Sequence, residues 1–247
     1  MLYRYLIYRL DRYVCNSNFT HQRLQSFLDR EVNAFIAYPG VDEKFFEKPG
    51  RKDCKIKFGV LGKRVLYTVG RLDERKGHDL VIRALPSIIR QVPNVIYLIG
   101  GEGPHLSKLK QLVRELDLQD YVRFCGFIEP EDILAFHHAG DVFVMPNRIL
   151  PDGDTEGFGI VFLEAGATGR PVIGGRAGGA VDAIVDGTTG LLVDPYSHEE
   201  LVEKTITLLK NEELAIKLGE KARNRAWNEF RWKILATKFV EYLRNEV

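Results

Sequence analysis

Residues 65–101 read VLYTVGRLDERKGHDLVIRALPSIIRQVPNVIYLIGG, and the alternation inside this stretch decides the fold. VLYTV (65–69) is a run of strand length, apolar apart from Thr68, that ends at Gly70. The segment after it carries Leu80, Val81, Ala84, Leu85, Ile88 and Ile89 at helical spacing, which gives one apolar face. VIYLIGG (95–101) is a second strand of the first kind. Strands apolar on both sides must be covered on both faces, and the strand–helix–strand order lays them parallel. The unit recurs downstream. A helix around LSKLKQLVREL leads to VRFCGF (122–127), the helix PEDILAFHHAG to DVFVMP (141–146), and the helix GIVFLEAGATG to PVIGG (171–175). A short helix near AVDAIV and the strand GLLVDP (190–195) close the series. These elements predict an α/β fold, a Rossmann-like doubly wound parallel sheet. Such sheets bind ligands beyond the carboxyl ends of their strands, so the loops there are the places to search.

Outward from this domain, taken as residues 63–225, the pattern changes. Residues 1–42 read as helix, short strand, helix, strand. Tyr3, Leu6, Ile7 and Leu10 form an apolar stripe, and Asn18 or Thr20 is expected to cap a helix ending at Leu28. NAFIAYPGVD is a strand running into a Pro-Gly turn. Residues 43–62, rich in Lys and Gly with no sustained period, are expected as a linker. Residues 226–247 end the chain as a helix whose Phe230, Trp232, Ile234, Leu235, Phe239 and Val240 give it more apolar surface than one domain readily covers. That helix and the Tyr3–Leu10 stripe are expected to pack on each other or on a second chain.

Composition removes several classes. In 247 residues, 35 Lys+Arg against 34 Asp+Glu leave a net charge of +1, so no global field recruits nucleic acid or membrane. Three cysteines without a C-x-x-C pair argue against a disulfide framework or a cysteine zinc site, and a cytoplasmic location with reduced thiols is expected. No apolar run approaches the roughly 18 residues of a spanning helix. Peripheral contact with a membrane stays open. The six histidines form no ligand spacing, and His137–His138 reads as one core-facing and one exposed residue.

Four strand-end loops carry the chemistry. In GRLDERKGHDL, Arg71 and Lys76 flank a turn before a helix, a place to clamp a diphosphate; the plainer reading pairs them with Asp73 and Glu74. In IGGEGPH, glycines 100, 101 and 103 allow close backbone approach or simply make a tight turn; Leu106 stands where a dinucleotide fingerprint needs glycine. In EGFGIVFLE, Glu156 ends a polar loop, Gly157 and Gly159 open a helix with free amides, and Glu164 falls among apolar neighbours. Asp152, Asp154 and Glu156 read as a solvated acidic loop rather than a cation site. Gly178 and Gly179 in RAGGAVDAI either line ligand or serve their own loop.

Taken in order, the GR-x4-KG run, GGEGP, the E-x7-E pair and the GG and GLLVDP loops resemble the C-terminal domain of retaining GT-B glycosyltransferases of family 4, over residues 35 to 247. MPNRILPDGDTEGFGIVFLEA (145–165) looks especially like the phosphatidylinositol mannosyltransferases. The resemblance implies that Arg71 and Lys76 neutralise the donor diphosphate, with Glu156 beside the sugar and the lysine. Backbone at Gly70, Gly101, Gly103, Gly157, Phe158, Gly159 and Ile160 would line phosphate and sugar. Glu164 would bind ribose, and the base would sit near Gly126 and Phe127. It further implies GDP-mannose or a UDP-sugar as co-substrate, with no metal and no other cofactor. Residues 1–42 would be a remnant of the N-terminal acceptor domain, and 226–247 the helix that crosses back to it. The chain is thus expected to bind donor but to transfer sugar poorly alone, awaiting an N-terminal partner or self-associating. The alternative is a non-catalytic donor-binding or regulatory subunit. A phosphorylase would need a cofactor lysine, for which no residue has supporting context.

Overall fold

A computed structural model describes residues 6–10 and 12–245. Its centre is a six-stranded, all-parallel sheet built from β3 (Arg64–Val69), β4 (Val95–Gly100), β5 (Val122–Gly126), β6 (Val142–Met145), β7 (Val172–Gly175) and β8 (Leu191–Val193). The strand order is β5-β4-β3-β6-β7-β8. This is the doubly wound order, in which the chain winds outward from β3 in both directions and leaves a crevice where β3 meets β6. The loops after those two strands, residues 70–77 and 146–159, therefore border the same crevice.

Period-two alternation distributes the strands between two cores. Val65, Tyr67 and Val69 face one core with Phe136, Phe143, Phe158 and Phe162. Leu66, Tyr97, Ile99 and Val144 face the other, under α3 (His78–Gln91), α4 (Leu106–Glu115) and α8 (His198–Lys210). The first core is covered by α5 (Ile133–Ala139), α6 (Ile160–Ala167) and the end of α9 (Glu212–Glu229). His137 and His138 are both buried, contrary to the one-in, one-out expectation. His137 Nδ1 meets the Tyr67 hydroxyl at 3.0 Å and His138 Nε2 the Glu47 carbonyl at 3.1 Å. Burial pushes His137 down to about 3 and His138 to about 4, so both are neutral.

Residues 43–62 are folded rather than a loose linker. A 3-10 turn, Glu43–Phe46, buries Phe45, and α2 (Arg51–Lys57) buries Cys54. Phe58 sits edge-on to Phe136 of α5 at 5.1 Å. Seven residues of helix are too few to display a period, which is why the sequence shows none.

The described residues up to Ile36 make a small unit. β1 (Tyr13–Cys15) pairs in parallel with β2 (Ala34–Ile36), joined by α1 (Asn18–Leu28) over Tyr13, Leu28 and Val32. The cap of α1 is Ser17 rather than Asn18 or Thr20. Its hydroxyl accepts from the Thr20 amide at 3.0 Å, while the Thr20 hydroxyl accepts from the Ser17 amide. Asp182, on the short helix α7 (Ala180–Ala183), accepts from the Asn18 amide at 2.6 Å and the Phe19 amide at 3.4 Å, capping α1 from the main domain. The final helix, α10 (Trp232–Asn245), packs on β2. Phe35 stacks on Tyr242 at 4.7 Å and lies 5.3 Å from Phe239. Tyr3 lies outside the described residues; Ile7 packs on the small core, and Leu6 and Leu10 are exposed. Trp232, Val240 and Leu243 are exposed too, so much of the helix's apolar surface is uncovered.

Candidate functional site

Gly70 follows β3 and Gly101 follows β4, at φ +145° and +121°. A Cβ on Gly101 would stand 2.0 Å from the Gly70 carbonyl oxygen, so the two loops touch backbone to backbone and only glycine fits. Gly103 is pressed on Leu72, which makes it a packing residue of the same turn. The 3-10 turn Glu74–Lys76 then leads into α3.

Lys76 is 8% exposed, and its Nζ lies 2.8 Å from Glu156 Oε2. A buried ammonium is costly alone, so the pairing accounts for its position. Arg75 Nη1 meets the same oxygen at 2.9 Å, and Arg75 also reaches Asp154 (3.3 Å) and Asp73 (3.7 Å). The acidic stretch is consequently tied to the β3 loop at Asp154 and Glu156 rather than solvated throughout. Arg71 stands apart: its side chain is 71% exposed and pairs with Asp73 at 3.1 Å, on the rim. A second tie runs the opposite way. The Arg148 amide donates to the Arg75 carbonyl at 2.8 Å, and the Arg148 guanidinium binds Asp79 and Glu74. Asn147, fully buried, donates to the Ala177 carbonyl at 2.8 Å and accepts from the Gly175 amide, joining the loops after β6 and β7.

Behind Glu156 the chain enters α6. The amides of Phe158, Gly159 and Ile160 have no hydrogen-bond acceptor among the described residues. They are the unsatisfied donors that a helix N-terminus offers to an anion. The Phe158 ring is buried against Tyr38 at 5.2 Å and Phe230 at 5.9 Å, so this residue offers a ligand only its backbone. The Gly157 carbonyl is held by the Ser17 hydroxyl at 2.6 Å. Gly178 and Gly179 serve the loop: the Gly179 amide donates to the Glu156 carbonyl at 2.7 Å, and a Cβ on Gly178 would strike that oxygen.

Farther along α6, Glu164 opens into a cavity of about 480 Å³ shared with Asp42, Lys44, Ile128, Pro130 and Trp232. Among the described residues its carboxyl group has no hydrogen-bond partner. Burial pushes it up to about 7, against the opposing pull of Lys44 and Lys76. Gly126 accepts from the Gly101 amide at 2.6 Å, Phe127 is exposed, and Ile128 reaches the Glu164 cavity. His78 opens α3 next to Lys76 with neither ring nitrogen partnered, and burial pushes it down to about 3.

The structure thus gathers Gly70, Lys76, Gly101, Glu156 and the free amides at 158–160, with Glu164 along the same helix. It leaves Arg71 on the rim. Sequence reading missed Arg75, Asn147 and Arg148. For Arg75 the signal was its place beside Lys76, within reach of the acidic loop; for Asn147, a polar residue directly after a buried strand.

A doubly wound parallel sheet with a lysine–carboxylate pair beside free amides at a helix N-terminus is an arrangement suited to an anionic ligand. The chain belongs to the glycosyl transferases group 1 family, matching it over residues 52–225. It is 36% identical over 233 residues to the GDP-mannose-dependent alpha-(1-6)-phosphatidylinositol monomannoside mannosyltransferase of Mycobacterium tuberculosis, covering 93% of this chain and 60% of that one. Among solved structures, Anabaena HepE in complex with UDP and glucose superposes with a TM-score of 0.88 at 23% identity, over 99% of this chain and 66% of that one. The C-terminal domain of the Francisella tularensis protein LpcC gives 0.69 at 27% identity, over 78% of this chain and all of that one. The chain spans about 60% of the length of the mannosyltransferase relatives it matches first.

Proposed function

We propose that this chain is the donor half of a retaining hexosyltransferase, with GDP-mannose as first candidate donor and UDP-sugars next. The observation that carries the reading is the Lys76–Glu156 pair, 2.8 Å long, beside three unengaged amides at the start of α6. As the glycosidic bond breaks, negative charge collects on the departing nucleoside diphosphate. The α6 amides, Lys76 and Arg71, swung in from the rim, are the positive groups that stabilise it. Glu156 then accepts from a sugar hydroxyl and Glu164 from ribose. Retention follows if the departing phosphate assists the incoming hydroxyl on one face, a route that asks for no protein nucleophile and, with these cations, no divalent metal. The name of the mycobacterial relative supports the mannosyl donor.

The second reading, a donor-binding subunit serving a separate N-terminal protein, draws on the small unit. Two strands make a marginal sheet, and Val14 and Phe27 beside them are exposed. Holding an acceptor hydroxyl about 3–3.5 Å from the anomeric carbon requires a surface facing the donor loops. One experiment tests both readings: thermal-shift and calorimetric screening of GDP-mannose, UDP-glucose and ADP-glucose, then transfer from labelled donor with and without a separately expressed N-terminal half. Binding without transfer until the second half is added is the expected result. Robust transfer by the monomeric chain alone refutes the incompleteness, and failure to bind any nucleotide refutes the donor site.

A further inference from the structure

We infer that Arg75 is a positioning residue: it keeps Glu156 in place when Lys76 turns to the donor diphosphate, and thereby governs recognition of the sugar. The inference rests on the donor reading above. Arg75 Nη1 and Lys76 Nζ share a single oxygen, Glu156 Oε2, at 2.9 and 2.8 Å. Oε1 of the same carboxylate has no partner among the described residues. Lysine is a compact charge on a flexible stem, whereas the guanidinium is a planar fork with five donors. A diphosphate arriving at the α6 N-terminus draws the lysine away. The Glu156 side chain, 13% exposed, would then stand unpaired beside two new negative charges. An uncompensated buried carboxylate is costly, and it would swing out toward solvent.

Arg75 prevents this, because it is anchored independently of Lys76. Its remaining nitrogens are occupied by Asp154 at 3.3 Å and Asp73 at 3.7 Å, and its carbonyl accepts from the Arg148 amide at 2.8 Å. Only 20% of its side chain is exposed. Glu156 therefore stays oriented, with Oε1 free to accept from a sugar hydroxyl, while Lys76 changes partner. Adjacent cations on one turn divide the work, Lys76 for the phosphate and Arg75 for the carboxylate that reads the sugar.

The test compares GDP with GDP-mannose, and UDP with UDP-glucose, by calorimetry on the wild type, Arg75→Met, Arg75→Lys and Lys76→Ala. Arg75→Met should leave nucleoside-diphosphate affinity within about twofold yet cut affinity for the sugar nucleotide roughly tenfold or more, the scale of a charge-assisted hydrogen bond. Arg75→Lys should restore part of that loss, and Lys76→Ala should weaken both ligands. Hydrogen exchange without ligand supplies a separate readout, since residues 148–156 should exchange faster in Arg75→Met. Equal weakening of diphosphate and sugar nucleotide in Arg75→Met would overturn the inference, as would unchanged exchange of that loop. A wild type that binds none of the four ligands removes the donor reading and the sugar role together; unchanged exchange in Arg75→Met beside normal wild-type binding sinks the Arg75 role alone.

Discussion

Replacing Glu164 by glutamine probes the α6 cavity before any ligand is added. In the folded chain burial holds this carboxyl at about 7, against an ordinary 4.5. Between those values the folded state keeps a proton that the unfolded chain has released. The stability attached to Glu164 is therefore complete below about pH 4.5 and is lost as pH rises through 7. At about 1.4 kcal/mol per pH unit, the gap amounts to roughly 3 kcal/mol once the group is fully ionised. Glutamine keeps the shape and never ionises. Glu164→Gln should exceed the wild type by only about 1 kcal/mol at pH 5 and by roughly 3 kcal/mol at pH 9. Urea unfolding at pH 5, 7 and 9, followed by fluorescence and circular dichroism, measures the difference. An advantage that does not vary with pH, or a variant less stable than the wild type at pH 9, would refute the reasoning. The same variant should lose its preference for a ribonucleotide over the deoxyribose analogue, since an ionised Glu164 is the proposed acceptor for ribose.

Lys76→Ala should weaken nucleoside-diphosphate binding by about 2–4 kcal/mol, because Glu156 loses one of its cations and the ligand its phosphate partner; calorimetry showing unchanged affinity for GDP and UDP would place the site elsewhere. Gly101→Ala forces a side chain to φ +121° and a Cβ within 2.0 Å of the Gly70 carbonyl. It should lower the melting temperature and remove nucleotide binding together, and a variant with wild-type melting and binding would show that the loop yields freely. His78, His137 and His138 are held neutral in the fold, so the unfolded chain takes up more protons as pH falls below its ordinary histidine value. Stability should decline from about pH 6.5 downward, and His137→Gln should make that decline shallower; an unaltered pH slope counts against the buried neutral histidines.

The sheet was readable because each apolar run of β3, β4 and β6 ends in a glycine or proline and leads to an amphipathic or apolar helix. Lys76, Glu156 and the start of α6 were readable for the same reason, as charges and glycines placed where strands stop. Arg71 was legible as two alternatives, a diphosphate clamp or a surface pair with Asp73, and its exposed side chain makes the second contact at 3.1 Å. Arg75 and Arg148 escaped because their partners lie 81 and 69 residues away, and such crosswise ties exist only after the loops meet. The Ser17 cap was hidden by its neighbours, since Ser17, Asn18 and Thr20 are all competent and tertiary contacts with Gly157 and Asp182 decide among them.

Those contacts make the turn before α6 a shared boundary. Gly157 receives the Ser17 hydroxyl, and Asp182 takes the first amides of α1, so the small unit is anchored next to the amides proposed for phosphate. Any rotation of that unit about the backbone join between Val41 and Phe230 strains that turn, and any ligand that tightens the turn resists the rotation. Linkage makes the effect mutual. The α1 amides should therefore report on occupancy of a pocket they never touch, and whatever docks against β1 and β2 should retune donor affinity from outside the site.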